Sequence, residues 1–309
     1  FRYHRFMTSF SGVIPPVVTP MLTPDQLDGS AVKRIVEHLI SGGVSGIFIL
    51  GTTGEGPSLT QRMRYEMLEL TCAAVAGRVP VFVGVTDTCL AESIALAERA
   101  ASCQATAIVA AAPFYFDVPQ AALEAWFDAL ATASPLPLML YNMPSCVGVV
   151  LSHAIVENLS HHPNIIGIKD SGGDMAYFGV LCERYRHRED FVIFIGPEER
   201  LADAVALGAA GGVCGGGNLL PHLYTSFYKA AVGGDAAAVA KYADQVRNVF
   251  KSVYCDPDDN MNLIPGLKRA MHELGLCSAV VAPPLSAVSP GHAAKIAAAL
   301  PQLVAQSRQ

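Results

Sequence analysis

The sequence predicts an α/β fold, a (β/α)8 TIM barrel with a C-terminal helical appendix, on three observations. From Gly12 onward, short apolar or β-branched runs alternate with longer stretches of helical periodicity, the pattern of repeated βα units. Eight such runs can be counted, and eight parallel strands close a barrel. The mean hydropathy is +0.36, yet no stretch of about 18 apolar residues runs free of Pro, Gly or charge. Parallel strands buried on both faces give that combination, because each reads as a continuous apolar run.

The strand runs fall at 13–19, 46–50, 81–85, 107–111, 138–141, 165–168, 192–195 and 211–214. Helices between them open on residues that can cap free N–H groups, namely Asp28, Thr60, Thr88 and Ser152, and several end near Gly or Pro. Prolines at 119, 135, 137, 144, 163, 221 and 265 mark connections between elements. After the eighth unit the chain reads as further helices around 236–254, 261–274 and 291–306. The division expected is a barrel over 11–232 and a helical extension over 233–309 packed on it. Residues 1–10 are set aside from the fold, with Met7 read as the natural start and extension sequence before it. An open doubly wound sheet would show the same alternation. It is disfavoured because no G-x-G-x-x-G follows the first strand and no G-x-x-x-x-G-K-[ST] occurs.

With 309 residues, 51% hydrophobic and 16% charged, the chain can bury a sizeable core. A net charge of −6 without a basic cluster argues against nucleic acid, and the missing apolar span argues against a membrane, leaving small molecules as partners. The eight cysteines form no CxxC and no Cys/His ligand spacing, which disfavours zinc and a disulfide framework and fits a reducing cytoplasm. They read as small buried hydrophobes, Cys214 included. None of the nine histidines makes H-E-x-x-H, and His161-His162 before Pro163 reads as a solvated loop.

Catalytic groups of such barrels come from the C-terminal ends of strands and the loops just after them. Of seven lysines, only Lys169 ends a strand-like run. Burial there disfavours the ammonium form and leaves an amine able to attack a carbonyl. The other reading is a structural lysine paired with Asp170 or another carboxylate. Tyr141 ends the fifth run, where its phenol can relay a proton or simply bond the backbone at the rim. Thr52 and Thr53 lie in the turn 51–56, which suits either a carboxylate ligand or a tight connection that needs glycine dihedrals. Tyr115, within Pro113-Phe114-Tyr115-Phe116, reads as packing or an oligomer contact.

Together, Gly51-Thr52-Thr53-Gly54-Glu55, Pro113-Phe114-Tyr115, Tyr141-Asn142-Met143-Pro144-Ser145 and Gly167-Ile168-Lys169-Asp170 resemble, in order and spacing, a known family. It is the dihydrodipicolinate synthase / N-acetylneuraminate lyase family of class I pyruvate aldolases, and the resemblance covers residues 11–300. It implies that Lys169 forms a Schiff base, that Tyr141 donates and accepts the proton, and that Thr52 extends the relay. It implies too that Thr53 binds the carboxylate of a 2-oxo acid, and that Val213 and Gly196 line a pyruvate pocket. Tyr115 matches a tyrosine that reaches the neighbouring subunit's site, which implies a homodimer or homotetramer. No metal and no cofactor beyond the covalent Schiff base is implied, since an iminium is itself the electron sink.

Within the family, the synthase branch of lysine biosynthesis carries an arginine two residues after the Pro of the tyrosine motif, where this chain has Cys146. A thiol cannot replace a bidentate guanidinium contact. The segment around Lys169, with Gly211-Gly212-Val213-Cys214 and Ile264-Pro265-Gly266-Leu267-Lys268, looks most like 4-hydroxy-2-oxoglutarate aldolases. The stretch Gly51-Thr52-Thr53-Gly54-Glu55-Gly56-Pro57-Ser58-Leu59 resembles aldolases of 2-keto-3-deoxy sugar acids. The expected reaction is cleavage of a 4-hydroxy-2-oxo acid to pyruvate and an aldehyde. Its rivals are condensation of pyruvate with aspartate semialdehyde, dehydration of a keto-deoxy acid, and a non-catalytic barrel that senses a 2-oxo acid.

Overall fold

Residues 10–255 and 263–307 are described by the computed structural model. Eight parallel strands lie inside a ring of helices: β1 (Gly12–Val13), β2 (Ile47–Ile49), β3 (Val81–Gly84), β4 (Ala107–Ala111), β5 (Leu138–Asn142), β6 (Ile165–Asp170), β7 (Val192–Ile195) and β8 (Gly211–Gly212). Each of β2 to β7 pairs with the next, and β8 pairs with β1. Just past β1 the ring closes: Pro16 bridges Phe48, the Val17 N–H donates to Phe48 O at 2.7 Å, and the Phe48 N–H donates to Pro15 O at 3.0 Å. The expected first strand over 13–19 shortens to two residues because Pro15 and Pro16 have no N–H to offer a ladder. A small hairpin, Met21–Thr23 against Gln26–Leu27, fills the connection that follows and was not foreseen.

The ring helices are α1 (Gly29–Ser41), α2 (Gln61–Val75), α3 (Leu90–Ser102), α4 (Gln120–Ala133), α5 (His153–Leu159), α6 (Met175–Tyr185), α7 (Leu201–Ala206) and α8 (Pro221–Gly233). Asp28, Thr60 and Ser152 cap α1, α2 and α5 as expected, accepting from the N–H of Ala31, Met63 and Ile155. Thr88 is not a cap. The cap of α3 is Cys89, whose own N–H is taken by the Asp87 carboxylate at 3.0 Å.

Strand side chains alternate between barrel interior and helix layer. Phe48, Phe82, Val109, Met139, Tyr141, Phe194 and Val213 point inward, while Ile47, Val83, Ile108, Leu140, Ile193 and Ile195 pack outward against the helices. On β6 the alternation breaks. Leu138 and Met139 of β5 pair with Ile165 and Gly167, so Ile166 is an extra residue. Ile166 packs inward, Ile168 packs outward, and Lys169 faces the interior. Without this bulge, regular alternation from Ile166 would have turned the lysine out of the barrel. Gly167 permits the kink, since a Cβ there would lie 2.2 Å from the Val192 carbonyl oxygen.

Beyond α8 come α9 (Ala236–Val249), a π-turn (Phe250–Tyr254), α10 (Leu263–Glu273) and α11 (Pro290–Ser307). The expected start of the middle helix at 261 lies outside the described residues, as do Met7 and the last two positions. Buried polar contacts tie these helices to the barrel mouth. The Lys268 ammonium reaches Glu55 Oε1 at 2.7 Å and the Ala282 N–H reaches Oε2 at 2.6 Å. Tyr254, at the end of the π-turn, donates to Glu198 Oε1 at 3.2 Å.

One smaller expectation is corrected. Cys89 and Cys146 are exposed, so the cysteines are not all buried hydrophobes, although all eight are free. The His161-His162 segment is a loop as expected, with His161 exposed and His162 half-buried. His162 Nδ1 accepts from the Asn164 N–H at 3.1 Å and its Nε2 lies 3.2 Å from the Thr132 hydroxyl.

Replacing Gly167 with Ala should destabilise the barrel by about 1–3 kcal/mol, because the clashing atom is backbone and cannot swing aside. Denaturant unfolding of G167A against the parent chain measures it, and an unchanged midpoint would count against the bulge as a packed feature.

Candidate active site

The strand ends bring together most of the residues singled out in the sequence. Tyr141 and Lys169 are direct register partners across β5 and β6. Lys169 is 4% exposed, with Nζ 4.0 Å from the centre of the Tyr141 ring and 5.1 Å from that of Phe48. It shares a small cavity with Ile14, Phe48, Phe82, Val109, Met139 and Val213. No carboxylate pairs with it among the described residues. Asp170, the partner that a structural role would have required, faces the opposite side of the strand. Its Oδ1 accepts from Asn142 Nδ2 at 2.7 Å and from the Gly172 N–H at 3.1 Å, while Asn142 Oδ1 accepts from the Leu151 N–H at 3.0 Å. This clamp joins the ends of β5 and β6 one residue beyond the lysine and the tyrosine. Burial raises the Asp170 pKa above its ordinary 3.8, against the hydrogen bonds from Asn142 and Gly172.

Thr52 Oγ1 lies 3.4 Å from the Tyr141 phenol oxygen, and Thr53 is buried beside it. Their turn is held by the Glu55 N–H to Thr52 O at 2.9 Å, the Gly56 N–H to Gly51 O at 3.1 Å, and the Thr19 hydroxyl to Gly54 O at 2.6 Å. The N–H groups of Thr52, Thr53 and Gly54 donate to no acceptor among the described residues. Leu50 and Glu55, which flank the turn, sit at φ of 59° and 58°, left-handed values that side-chain-bearing residues hold only when surroundings enforce them. Here the enforcement comes in part from Lys268. A turn with unspent backbone donors can receive an anion.

Val213 lines the cavity, as expected. Gly196 is not among the residues that line the cavity; its N–H donates to Asp170 O at 2.7 Å, and a Cβ there would fall 1.9 Å from the Ser171 hydroxyl oxygen. Tyr115 is not brought to the lysine within its own chain. It is 88% exposed, at φ 89°, edge-on to an exposed Phe116 at 5.1 Å.

The sequence reading missed Glu198. It accepts from the Tyr224 phenol at 2.6 Å, the Tyr254 phenol and the Gly216 N–H at 2.8 Å, fixing the loop after β8; burial raises its pKa. Its place just beyond a strand end was a usable signal, but its tyrosine partners lie in distant helices. The Asn142–Asp170 clamp was missed too, since both residues were read only as flanks of Tyr141 and Lys169.

The eight βα connections carry Asp25, Asp28, Glu55, Asp87, Asp117, Asp174, Glu198 and Glu199 against a single cation, Arg200. After β5, β6 and β8 many backbone donors are already spent. Cys146 and Val147 N–H donate to Met143 O, Gly148 N–H to Pro144 O, and Ser171 N–H to Asn142 O. Gly172 and Gly216 N–H go to Asp170 and Glu198.

A closed (β/α)8 barrel with an unpaired lysine buried beside a tyrosine at its mouth has the form of a lysine-dependent barrel lyase. Its sequence matches the Dihydrodipicolinate synthetase family over residues 9–303, and the chain belongs to that family. A 4-hydroxy-tetrahydrodipicolinate synthase of Phenylobacterium zucineum (strain HLK1) is 32% identical over 94% of this chain and 96% of its own length. The probable 2-dehydro-3-deoxy-D-pentonate aldolase YjhH of Escherichia coli (strain K12) is 33% identical over 76% of this chain and 78% of its own. Among solved structures, dihydrodipicolinate synthase from Bacteroides thetaiotaomicron superposes with a TM-score of 0.91 at 41% identity, covering 95% of this chain and 98% of that one. YagE of Escherichia coli K12, solved with pyruvate, gives 0.89 at 31% identity over 96% and 99%. The chain is therefore a carbon–carbon lyase of a pyruvate-dependent class I family, in which a lysine Schiff base is a family property.

The raised pKa of Asp170 carries a sign that can be checked. The folded carboxyl holds its proton more tightly than the unfolded one, so its contribution to stability is full below 3.8 and is lost as pH rises through the folded value. Relative to Asp170→Asn, the parent chain should lose unfolding free energy as pH is raised; a difference that stays flat in paired melts would contradict the assignment.

Proposed function

We propose that the chain cleaves a 4-hydroxy-2-oxo acid to pyruvate and an aldehyde, with Lys169 as the Schiff-base residue. The observation that carries this reading is a buried lysine amine with no carboxylate partner, set over the ring of Tyr141 at 4.0 Å. The substrate carboxylate lies in the turn 51–56, taken by the Thr53 hydroxyl and the unspent N–H groups. The amine adds to C2 of the substrate, and water leaves as Tyr141 delivers a proton, giving the iminium. The C4 hydroxyl then yields its proton to Tyr141, the C3–C4 bond breaks, and its electrons pass into the iminium to form an enamine. Protonation at C3 and hydrolysis release pyruvate and regenerate the amine. Thr52, 3.4 Å from the phenol, passes the proton onward. Val213 and Gly196 flank the three-carbon half of the substrate. Every step is acid–base or covalent chemistry at the lysine, so no metal or further cofactor is assigned.

A second reading is the synthase reaction with aspartate semialdehyde, favoured by the names of relatives such as that of Phenylobacterium zucineum. Cys146, exposed where that branch has an arginine, speaks against it. Tyr115 is assigned to a neighbouring subunit's site, on its exposure and its left-handed backbone, which makes the working form a homodimer or homotetramer. Two exposed free thiols, Cys89 and Cys146, support a reducing cytoplasm.

Borohydride reduction in the presence of pyruvate should add the pyruvate skeleton to Lys169, seen by peptide mass mapping. Lys169→Ala should abolish the adduct, and Tyr141→Phe should lower kcat by about 10²–10⁴. A full yield of adduct on another residue would sink the assignment. Tyr115→Ala should reduce both activity and the mass measured by sedimentation; a variant unchanged in both would remove this tyrosine from the interface.

A further inference from the structure

Helices α2 and α3 run side by side, and the residues along their seam fall into register. Near its start, Gln61 Nε2 donates to Glu92 Oε2 at 3.1 Å; further along, Arg99 Nε donates to Glu69 Oε1 at 3.0 Å. Residues three and four apart share a helix face. One turn beyond Glu69 and Arg99 therefore come Cys72, in the last turn of α2, and Cys103, the C-cap of α3. Past them the chain turns back toward β3 and β4 through side-chain-bearing residues in left-handed backbone, Ala76 at φ 48° and Gln104 at φ 60°. Between the two turns lies a cavity of about 320 Å³, with Cys72, Cys103, Ala76, Pro80, Gln104 and Thr106 in its wall. Both thiols are free and half-buried there. The cavity borders the N-terminal ends of β3 and β4, across the barrel from the strand ends that carry Tyr141 and Lys169.

We propose that Cys72 and Cys103 form a dithiol modification site, which a small disulfide entering the cavity converts to an internal disulfide between α2 and α3. Packed helices have axes about 8–10 Å apart. Facing Cβ atoms on two such helices come within reach of the roughly 3.5–4.5 Å that a disulfide requires. Burial pushes the Cys72 thiol up to about 12, so Cys72 keeps its proton and Cys103 opens the exchange. The Cys103 thiolate attacks one sulfur of the small disulfide, whose S–S bond breaks, and the leaving thiolate takes up the proton that Cys103 gave. Cys72 then attacks the Cys103 sulfur of this mixed disulfide. A second small thiol leaves with the Cys72 proton, and the bond between the two cysteines is made. The protein pair is oxidised by two electrons, and the small disulfide is reduced to its two thiols. Excess small thiol drives both steps back, which makes the cross-link transient wherever thiols predominate.

The test uses the intact, fully reduced protein and hydroxyethyl disulfide, a probe small enough for the cavity. After exposure at neutral pH, remaining thiols are blocked with N-ethylmaleimide and peptides are mapped by mass without reduction. The expected product joins the Cys72 and Cys103 peptides, lighter by the two thiol hydrogens, in several-fold higher yield than any other pair of cysteines. The exposed Cys89 and Cys146 carry the hydroxyethyl group instead and report that the probe has reacted. In Cys72→Ser the hydroxyethyl group should stay on Cys103, because the thiol that completes the exchange is gone. Recovery of both Cys72 and Cys103 as maleimide adducts, after Cys89 and Cys146 have reacted fully, overturns the proposal. So does a separate hydroxyethyl group on each of the two, or a joined pair that forms only in urea.

Discussion

Lys169 and Tyr141 face each other because β5 and β6 are held in one register, and the rest of the site is arranged around that pairing. Two features fix it. The extra residue at Ile166 resets the parity of β6 so that the lysine turns inward, and the Asn142–Asp170 hydrogen bond closes the strand ends immediately beyond the pair. A slip of one residue would send every side chain on the strand to the opposite face. Asp170 would then enter the barrel and Lys169 would be buried among helices, where an unpaired charge costs several kcal/mol.

The loops that surround the pair are held from outside the barrel. Glu55 locks the turn 51–56 by reaching Lys268 and Ala282, and Glu198 locks the loop after β8 by gathering Tyr224, Tyr254 and Gly216. Both carboxylates sit on βα connections, and both find partners in the helices that follow the eighth strand. The appendix is thus what allows two otherwise strained or glycine-rich loops to keep one shape. Breaking a buried ion pair from one side costs about 3–5 kcal/mol, enough to hold backbone angles such as those of Leu50 and Glu55.

Much of this was legible in the sequence, and the reasons differ by element. The eight strands could be counted because buried parallel strands leave uninterrupted apolar runs, and Lys169 stood out as the one lysine at the end of such a run. The same uniformity hid the bulge: Ile165-Ile166-Gly167-Ile168 is apolar throughout and carries no mark of parity. Thr88 was taken for a cap because Asp87, one residue earlier, uses its carboxylate on the Cys89 amide and shifts the helix start. Glu55, Lys268 and Glu198 kept their roles hidden for another reason. Their partners are separated by up to 227 residues, and only closure of the barrel brings them together.

The charge pattern of the mouth follows from the same division of labour. Carboxylates serve as loop anchors here because backbone N–H groups are the donors most abundant in irregular connections, and each anchor consumes some of them. Among the donors left over are the N–H groups of Thr52, Thr53 and Gly54 in the turn 51–56. Anchoring the loops with acids therefore fixes the frame in which the amine and phenol meet.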